Sequence, residues 1–344
     1  MRDFRKGLTL TELVVLLSIA SLILAVAFPA LQQNREAARN KDCQNNLQTI
    51  GVAALEYEAV NGLFPPFLGS DSVADTFDAQ QTFSLTLLLP FLGQQALVDQ
   101  IDPIAFDFDF PSIVDAGYQF NGEWINQTNK DRPGIGAIFF DNQVDLFRCP
   151  ADTLAENNNA MIAPSISDNA GTTVWPFLPS DRVFTLTNYT SNAGGIAITD
   201  TPGQVLIDAG FLGFHGPIRN RESESFDSIA DGASNVVLFG ESVGNIDPSV
   251  VPEPFRNIRY SAAAGGFNIG RPDVYAGMAD IETFGTLKNS DRLQFGSAHP
   301  DVVNTVRADG AIASVNRNNI SPELFGRLCG VADGNPVDSR FDPN

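Results

Sequence analysis

Histidine is nearly absent: the 344 residues include two, His215 and His299. Cysteine is scarce too, with Cys43, Cys149 and Cys329 far apart and no CxxC pair. That removes zinc ribbons and histidine-rich centres, and an odd count allows at most one disulfide within the chain. Lysine is limited to Lys6, Lys41, Lys130 and Lys288, and the formal net charge is −20. Such a surface repels a phosphate backbone, which argues against nucleic-acid partners and favours divalent cations or a salty exterior. No GKS or GKT phosphate loop occurs, and Gly134-Ile135-Gly136 and Gly265-Gly266 are too short for a nucleotide site. Tyrosine is rare, 5 against 26 Phe, whereas Gly (29) and Pro (21) are plentiful. With 43% apolar residues, this composition describes a loop-rich, strand-rich body with a real core, in one large domain or two modest ones.

The basic groups cluster at the start, MRDFRK, and a long apolar run follows. From Leu8 to Leu31, 24 residues carry a single charge, Glu12. About 20 apolar residues suffice to span a membrane, and basic residues before the span stay cytoplasmic. A plain secretory signal is the alternative, with Ala25-Val26-Ala27 as its cleavage site. Against it, the helical pattern continues past Leu31. Cys43, Leu47, Ile50, Ala54 and Tyr57 recur at spacings of 4, 3, 4 and 3, one apolar stripe on a helix. The reading is one helix to about Val60, roughly 80 Å long, stopped by Asn61-Gly62 and then Pro65-Pro66.

Residues 61–344 read as an exported head. A helix is expected over Leu85–Gln100, interrupted near Pro90 and Gly93. Strands are expected at Ile135–Phe140, Val183–Leu186, Val205–Ile207, Val236–Phe239 and Val302–Val306. Exposed loops are expected at Ala155–Thr173, Asn245–Asn257 and Asp333–Asn344. Asp107 and Asp109, alternating with Phe in FDFDF, read as a solvated strand face.

The stretch KGLTLTELVVLL resembles the processing site of type IV prepilins and pseudopilins. In that family a prepilin peptidase cuts after the glycine and methylates the new N-terminus. The resemblance places the cut between Gly7 and Leu8, with Leu8 standing where Phe is commoner. It gives Glu12 the family's assembly role, meeting the charged amine of a neighbouring subunit, and makes Pro29 the family's helix-kinking proline. Removing residues 1–7, which carry three basic groups and one acid, takes the side-chain charge from −20 to −22.

The head is similar to the large prepilin-like proteins whose C-terminal domain carries His, nine residues, then Asp-Gly. His299, Asp309 and Gly310 fit that motif within FGSAHPDVVNTVRADGAIASV. The other blocks occur in order: CQNNLQTIGVAALEYE, FPP at Phe64–Pro66, LLLPFL at Leu87–Leu92, FRCPAD at Phe147–Asp152, NYTSNAG from Asn188 and IADGASNVVLFGES from Ile229. Asp301-Val302 stands where glycines are usual, Gly93 where an acid is common, and Cys329 is extra. Cys43 and Cys149 match cysteines of the family pattern. They either pair, tying the head to the helix, or remain two buried thiols.

Asp309-Gly310 between apolar runs signals a two-residue hairpin turn, with Val302–Val306 and Ile312–Val315 as arms. His299 then either fixes the preceding loop by hydrogen bonds or serves as a base beside Ser297 or Asp309. Without a second histidine motif or a nucleophile elbow, the structural reading is preferred and no catalytic residue is assigned. Asp231-Gly232 is a second turn leading into a strand. Asp231 and Glu241 are weak calcium candidates, and no other cofactor or metal is expected.

The expectation is therefore an α+β, pilin-like chain that is not an enzyme. Residues 1–7 are a leader, 8–60 a long helix whose 8–31 part crosses the membrane, and 61–344 a β-rich head. Its partners are prepilin peptidase, other pilin-like subunits and the inner membrane. The head lies in the periplasm or outside the cell, in a pilus or secretion-system pseudopilus. The alternative is a monomeric, membrane-anchored surface protein whose acidic head binds a cation, glycan or partner protein.

Overall fold

The computed structural model describes residues 9–66, 84–100, 144–152, 186–192, 216–218, 223–242, 295–316, 319–320, 325 and 328–331, with isolated short strands between them. Its first element is α1, Leu10–Asn61, a continuous helix of 52 residues. At 1.5 Å per residue it is about 78 Å long. Thr9 caps its start and Gly62 ends it at φ 78°, donating its N–H to the Glu58 carbonyl. That left-handed conformation is one glycine adopts without a Cβ penalty.

The two parts of α1 meet different surroundings. From Leu10 to Leu31 its Leu, Val, Ile and Phe side chains are exposed, and the head buries none of that apolar window. This part is long and apolar enough to cross a membrane. From Cys43 onward the stripe is buried: Cys43, Leu47, Ile50, Ala54 and Tyr57 all face the head, joined by Gly51 and Ala53.

The stripe packs on a five-stranded sheet. Its strands are β1 (Tyr189–Asn192), β2 (Val237–Glu241), β3 (Phe267–Asn268), β4 (Val302–Arg307) and β5 (Ile312–Asn316), in the order β3-β1-β2-β4-β5. All neighbours are antiparallel except β3 with β1. Alternation along each strand divides the sheet into two faces. Tyr189, Phe239, Val306 and Ile312 contribute to the core under α1. Val303, Val315, Phe295, Phe325 and Cys329 form a second core. The Phe295 and Phe325 rings there meet edge to face at 6.0 Å. With helix on one side and the closing chain on the other, the protein is α+β: a long helix and a β-rich head.

Two glycines permit close approach. A Cβ on Gly51 would lie 2.5 Å from Val306 Cγ2, so α1 and β4 touch nearly backbone to side chain there. A Cβ on Gly240 would lie 2.7 Å from the Phe295 ring on the opposite face.

The helix expected over Leu85–Gln100 is two short pieces, α2 (Ser84–Leu87) and α3 (Gln95–Val98), joined by turns through Pro90 and Gly93. Proline supplies no N–H, and Gly93 sits at φ 69°. The hairpin carrying Asp309-Gly310 departs from the two-residue expectation. Arg307 donates its N–H to the Ala311 carbonyl and Gly310 donates to Arg307, which encloses three residues. Gly310 takes the left-handed position at φ 83°, as a type I turn followed by a bulge requires. The stretch 155–173 is also not all loop. Ala160–Met161 pairs with Arg259–Ser261, and Ile166–Ser167 with Thr173–Val174. Leu186–Thr187 joins Arg259–Ser261 from the other side, and Thr128–Asn129 pairs with Arg132–Pro133. The strands expected at 135–140 and 205–207, the loops at 245–257 and 333–344, and Asp107 and Asp109 lie outside the described residues.

Candidate functional site

At the start of α1, Thr9 and Glu12 form a reciprocal capping box. The Glu12 carboxylate accepts from the Thr9 N–H at 2.9 Å and the Thr9 hydroxyl at 2.8 Å, while the Glu12 N–H reaches the Thr9 hydroxyl at 3.4 Å. These bonds satisfy donors that a helix N-terminus otherwise leaves open. Within one chain, then, Glu12 has partners. Pro29 lies inside the continuous helix. Gly7 and Leu8 lie outside the described residues.

The second site is a polar seam where α1 crosses one end of the sheet. On the helix, Glu36, Asn40 and Gln44 are spaced by four, which places them on one face beside the apolar stripe. Opposite them, Tyr189, Glu241, Asn304 and Ser314 point toward α1 from four adjacent strands. Asn304 joins the two layers. Its side-chain amide donates to Asn40 at 2.7 Å and to Glu241 at 2.9 Å, and its N–H donates to Glu241 at 3.0 Å. Gln44 donates to Ser314 at 2.9 Å and to Asn304 at 3.3 Å.

His299 stands at the centre of this seam, 1% exposed. Its Nδ1 lies 2.5 Å from Glu36 Oε1, and its Nε2 lies 3.6 Å from Cys149 Sγ and 3.7 Å from Glu241 Oε1. Glu241 is fully buried, and that burial pushes its carboxyl above the ordinary range; His299, Ser297 and Asn304 oppose the shift. Burying a carboxyl is costly unless it is hydrogen-bonded, and Glu241 is provided for on several sides.

Cys43 and Cys149 are bonded, with Cα atoms 5.1 Å apart. Three further bonds hold the same junction. Asn46 donates to the Arg148 carbonyl at 3.0 Å, the Tyr189 hydroxyl to the Cys43 carbonyl at 3.4 Å, and the Cys149 N–H to Asn188 Oδ1 at 2.9 Å. Asn188 also donates to Asp152 at 2.7 Å. The FRCPAD turn is thereby pinned to both α1 and β1. The lone thiol, Cys329, is buried in the second core, and burial pushes its pKa up.

Other residues singled out from the sequence are not brought together. Ser297 accepts from the His299 backbone N–H at 3.1 Å and bonds to Glu241, while the imidazole turns to Glu36, Glu241 and Cys149. Asp309 sits at the hairpin tip, where its carboxylate accepts the Ala311 N–H at 2.9 Å. The length of β4 separates it from His299. Asp231 precedes β2 and Glu241 ends it, so the whole strand, at about 3.3 Å per residue, lies between the calcium candidates. Glu36, Asn40 and Gln44 escaped sequence reasoning, although their i, i+4, i+8 spacing was a visible signal.

A family model matches residues 32–320, which covers the buried part of α1 and most of the head. The chain belongs to that family, described as protein of unknown function (DUF1559), whose members carry the His-X9-Asp-Gly domain found in prepilin-like proteins. No curated protein and no solved structure matches the chain.

Proposed function

We propose that this chain is a type IV pilin-like or pseudopilin-like structural subunit rather than an enzyme. Prepilin peptidase cuts it between Gly7 and Leu8 and methylates Leu8. Residues 8–31 hold it in the inner membrane with the head outside, and it polymerises with other pilin-like subunits through α1. The observation that carries this reading is the division of one 52-residue helix. Its distal half is fastened to the head by a disulfide and a polar seam. Its proximal half stays free for lipid or neighbouring helices, with a single carboxylate near its tip.

The capping box refines the role of Glu12. In a lone subunit Thr9 satisfies the carboxylate. In a filament a neighbour's amine offers an opposite charge in a low-dielectric setting, where pairing offsets the desolvation of both groups. The intact mass and N-terminal sequence of the native protein test this reading. The expected start is methylated Leu8; a start at Phe28 would overturn it and leave a secreted protein. Glu12→Ala should still insert but fail to assemble, and normal assembly would refute the paired-charge role.

The size of the head, residues 61–344, supports one other reading: a membrane-held monomer whose acidic head binds a cation, glycan or partner protein. Recovery in sheared surface fractions favours polymerisation, whereas strict retention in membranes favours the monomer.

A further inference from the structure

The disulfide shares its surroundings with a histidine and a carboxylate. Cys43 Sγ, Cys149 Sγ, a Glu241 oxygen and a His299 ring nitrogen all lie within 4.8 Å of one another, and all four residues are buried. They come from four separate places: α1, the FRCPAD turn, the end of β2 and the loop before β4. The geometry points to a second use of the same sulfurs. In the reduced chain, Cys43, Cys149, His299 and Glu241 form a four-ligand site for a zinc-like divalent cation, and the disulfide and the ion are mutually exclusive.

The distances fit a tetrahedron. With Zn–S about 2.3 Å and Zn–N or Zn–O about 2.1 Å, the sulfur–nitrogen edge is about 3.6 Å and the nitrogen–oxygen edge about 3.4 Å. The structure has Cys149 Sγ to His299 Nε2 at 3.6 Å and His299 Nε2 to Glu241 Oε1 at 3.7 Å. The pair that must open is the bonded one, because two sulfurs on one zinc stand about 3.8 Å apart and cannot also be joined.

The outer groups are those a metal site needs. Glu36 accepts from Nδ1, which leaves the Nε2 lone pair aimed at the centre, the usual carboxylate–histidine–metal relay. Asn304 and Ser297 hold Glu241. Two thiolates select a soft or borderline ion and exclude calcium, which takes oxygen ligands. Either fastening ties α1 to the head at the same point.

The redox step balances. A phosphine and one water reduce the Cys43–Cys149 bond to two thiols, and the phosphine leaves as its oxide. Binding Zn²⁺ then releases the two thiol protons. In reverse, a low-molecular-weight disulfide takes two electrons from the bound thiolates. Its own sulfurs leave as thiolates, Cys43–Cys149 re-forms and the ion departs.

The test uses the full chain in detergent, reduced with a phosphine and titrated with Co²⁺ as the probe. One equivalent should give tetrahedral visible bands and thiolate-to-cobalt charge transfer, both abolished by Zn²⁺. The oxidised chain should give neither. Glu36→Gln should weaken binding about 10- to 100-fold, as loss of an outer partner does, and His299→Ala and Glu241→Gln should weaken it more. Absence of the bands in the reduced, folded chain overturns the proposal. So does unchanged affinity in both His299→Ala and Glu241→Gln. If reduction alone unfolds the head, Zn²⁺ must restore its folded circular dichroism, and failure to do so overturns the proposal equally.

Discussion

Replacing Cys43 and Cys149 together by Ala tests how the head is fastened to α1. The bond closes a loop of sequence separation 106. In the chain-entropy account, a loop of about 100 residues gains about 4.7 kcal/mol from cross-linking, and measured losses on removing a native disulfide run about 2–5 kcal/mol. The folded junction should survive the substitution, because Asn46, Tyr189 and Asn188 hold the same backbone by hydrogen bonds. The effect therefore belongs mostly to the unfolded chain, and we expect a loss of about 3–5 kcal/mol. That is a large share of the roughly 5–15 kcal/mol of a typical domain. The assay is denaturant unfolding of the full chain in detergent with a chelator present, so that no ion substitutes for the bond. The denaturant slope should rise, since an uncrosslinked unfolded chain exposes more surface. A phosphine should bring the wild type down to the double variant and leave the double variant unchanged. A loss below about 1 kcal/mol with an unchanged slope would falsify the entropic account.

Three further outcomes follow from particular positions. Gly310→Ala forces a side chain into φ 83°, with its Cβ 3.1 Å from Leu55; unfolding curves should show a loss of about 1–2 kcal/mol, the cost of a left-handed non-glycine residue. Gly240→Ala places a Cβ 2.7 Å from the buried Phe295 ring, and overpacking of that kind should cost about 1–3 kcal/mol by the same measurement. Glu241 keeps its proton to a higher pH folded than the 4.5 of an ordinary glutamate, because burial dominates. Its contribution is therefore full below that value and is lost as pH rises through the folded pKa. The stability of Glu241→Gln relative to wild type, followed by thermal melts, should accordingly improve from acid toward neutral pH; a flat difference would refute the shift.

The buried half of α1 was legible because its signal is local. Cys43, Leu47, Ile50, Ala54 and Tyr57 repeat with the helical period, and Asn61-Gly62 closes the run. The β4–β5 arms were legible as apolar runs on either side of Asp309-Gly310, but the loop length was not. Asp-Gly serves both a two-residue turn and a three-residue turn with a bulge. The Thr9–Glu12 box is written in the sequence as T-x-x-E, but an acid at the head of an apolar run fits a local cap and a distant partner's charge equally well. The surroundings of His299 were not legible. Glu36 lies 263 residues before it and Cys149 lies 150 before it. No spacing rule reaches that far, and the scarcity of Cys and His argues against a zinc site. Only the crossing of α1 over the sheet gathers these groups.

That crossing gives a physical meaning to the nine residues between His299 and Asp309-Gly310. His299 bonds to Glu36 near one end of the contact, and Gly310 faces Leu55 near the other. From Glu36 to Leu55 the helix takes 19 residue steps, about 28 Å of α1. The six residues of β4 supply about 20 Å in a strand, and the loop after His299 and the turn before Gly310 make up the difference. One helical turn before Leu55, Gly51 makes room for Val306, so strand and helix run close there as well. The alternation of β4 then does two tasks. Asn304 and Val306 face α1, one in the polar seam and one in the core, while Val303 enters the second core. A strand one residue longer would exchange these faces. The motif is thus a measure: it fixes how much strand lies on how much helix, with the disulfide and the His299 cluster at one end and the Gly310 bulge at the other.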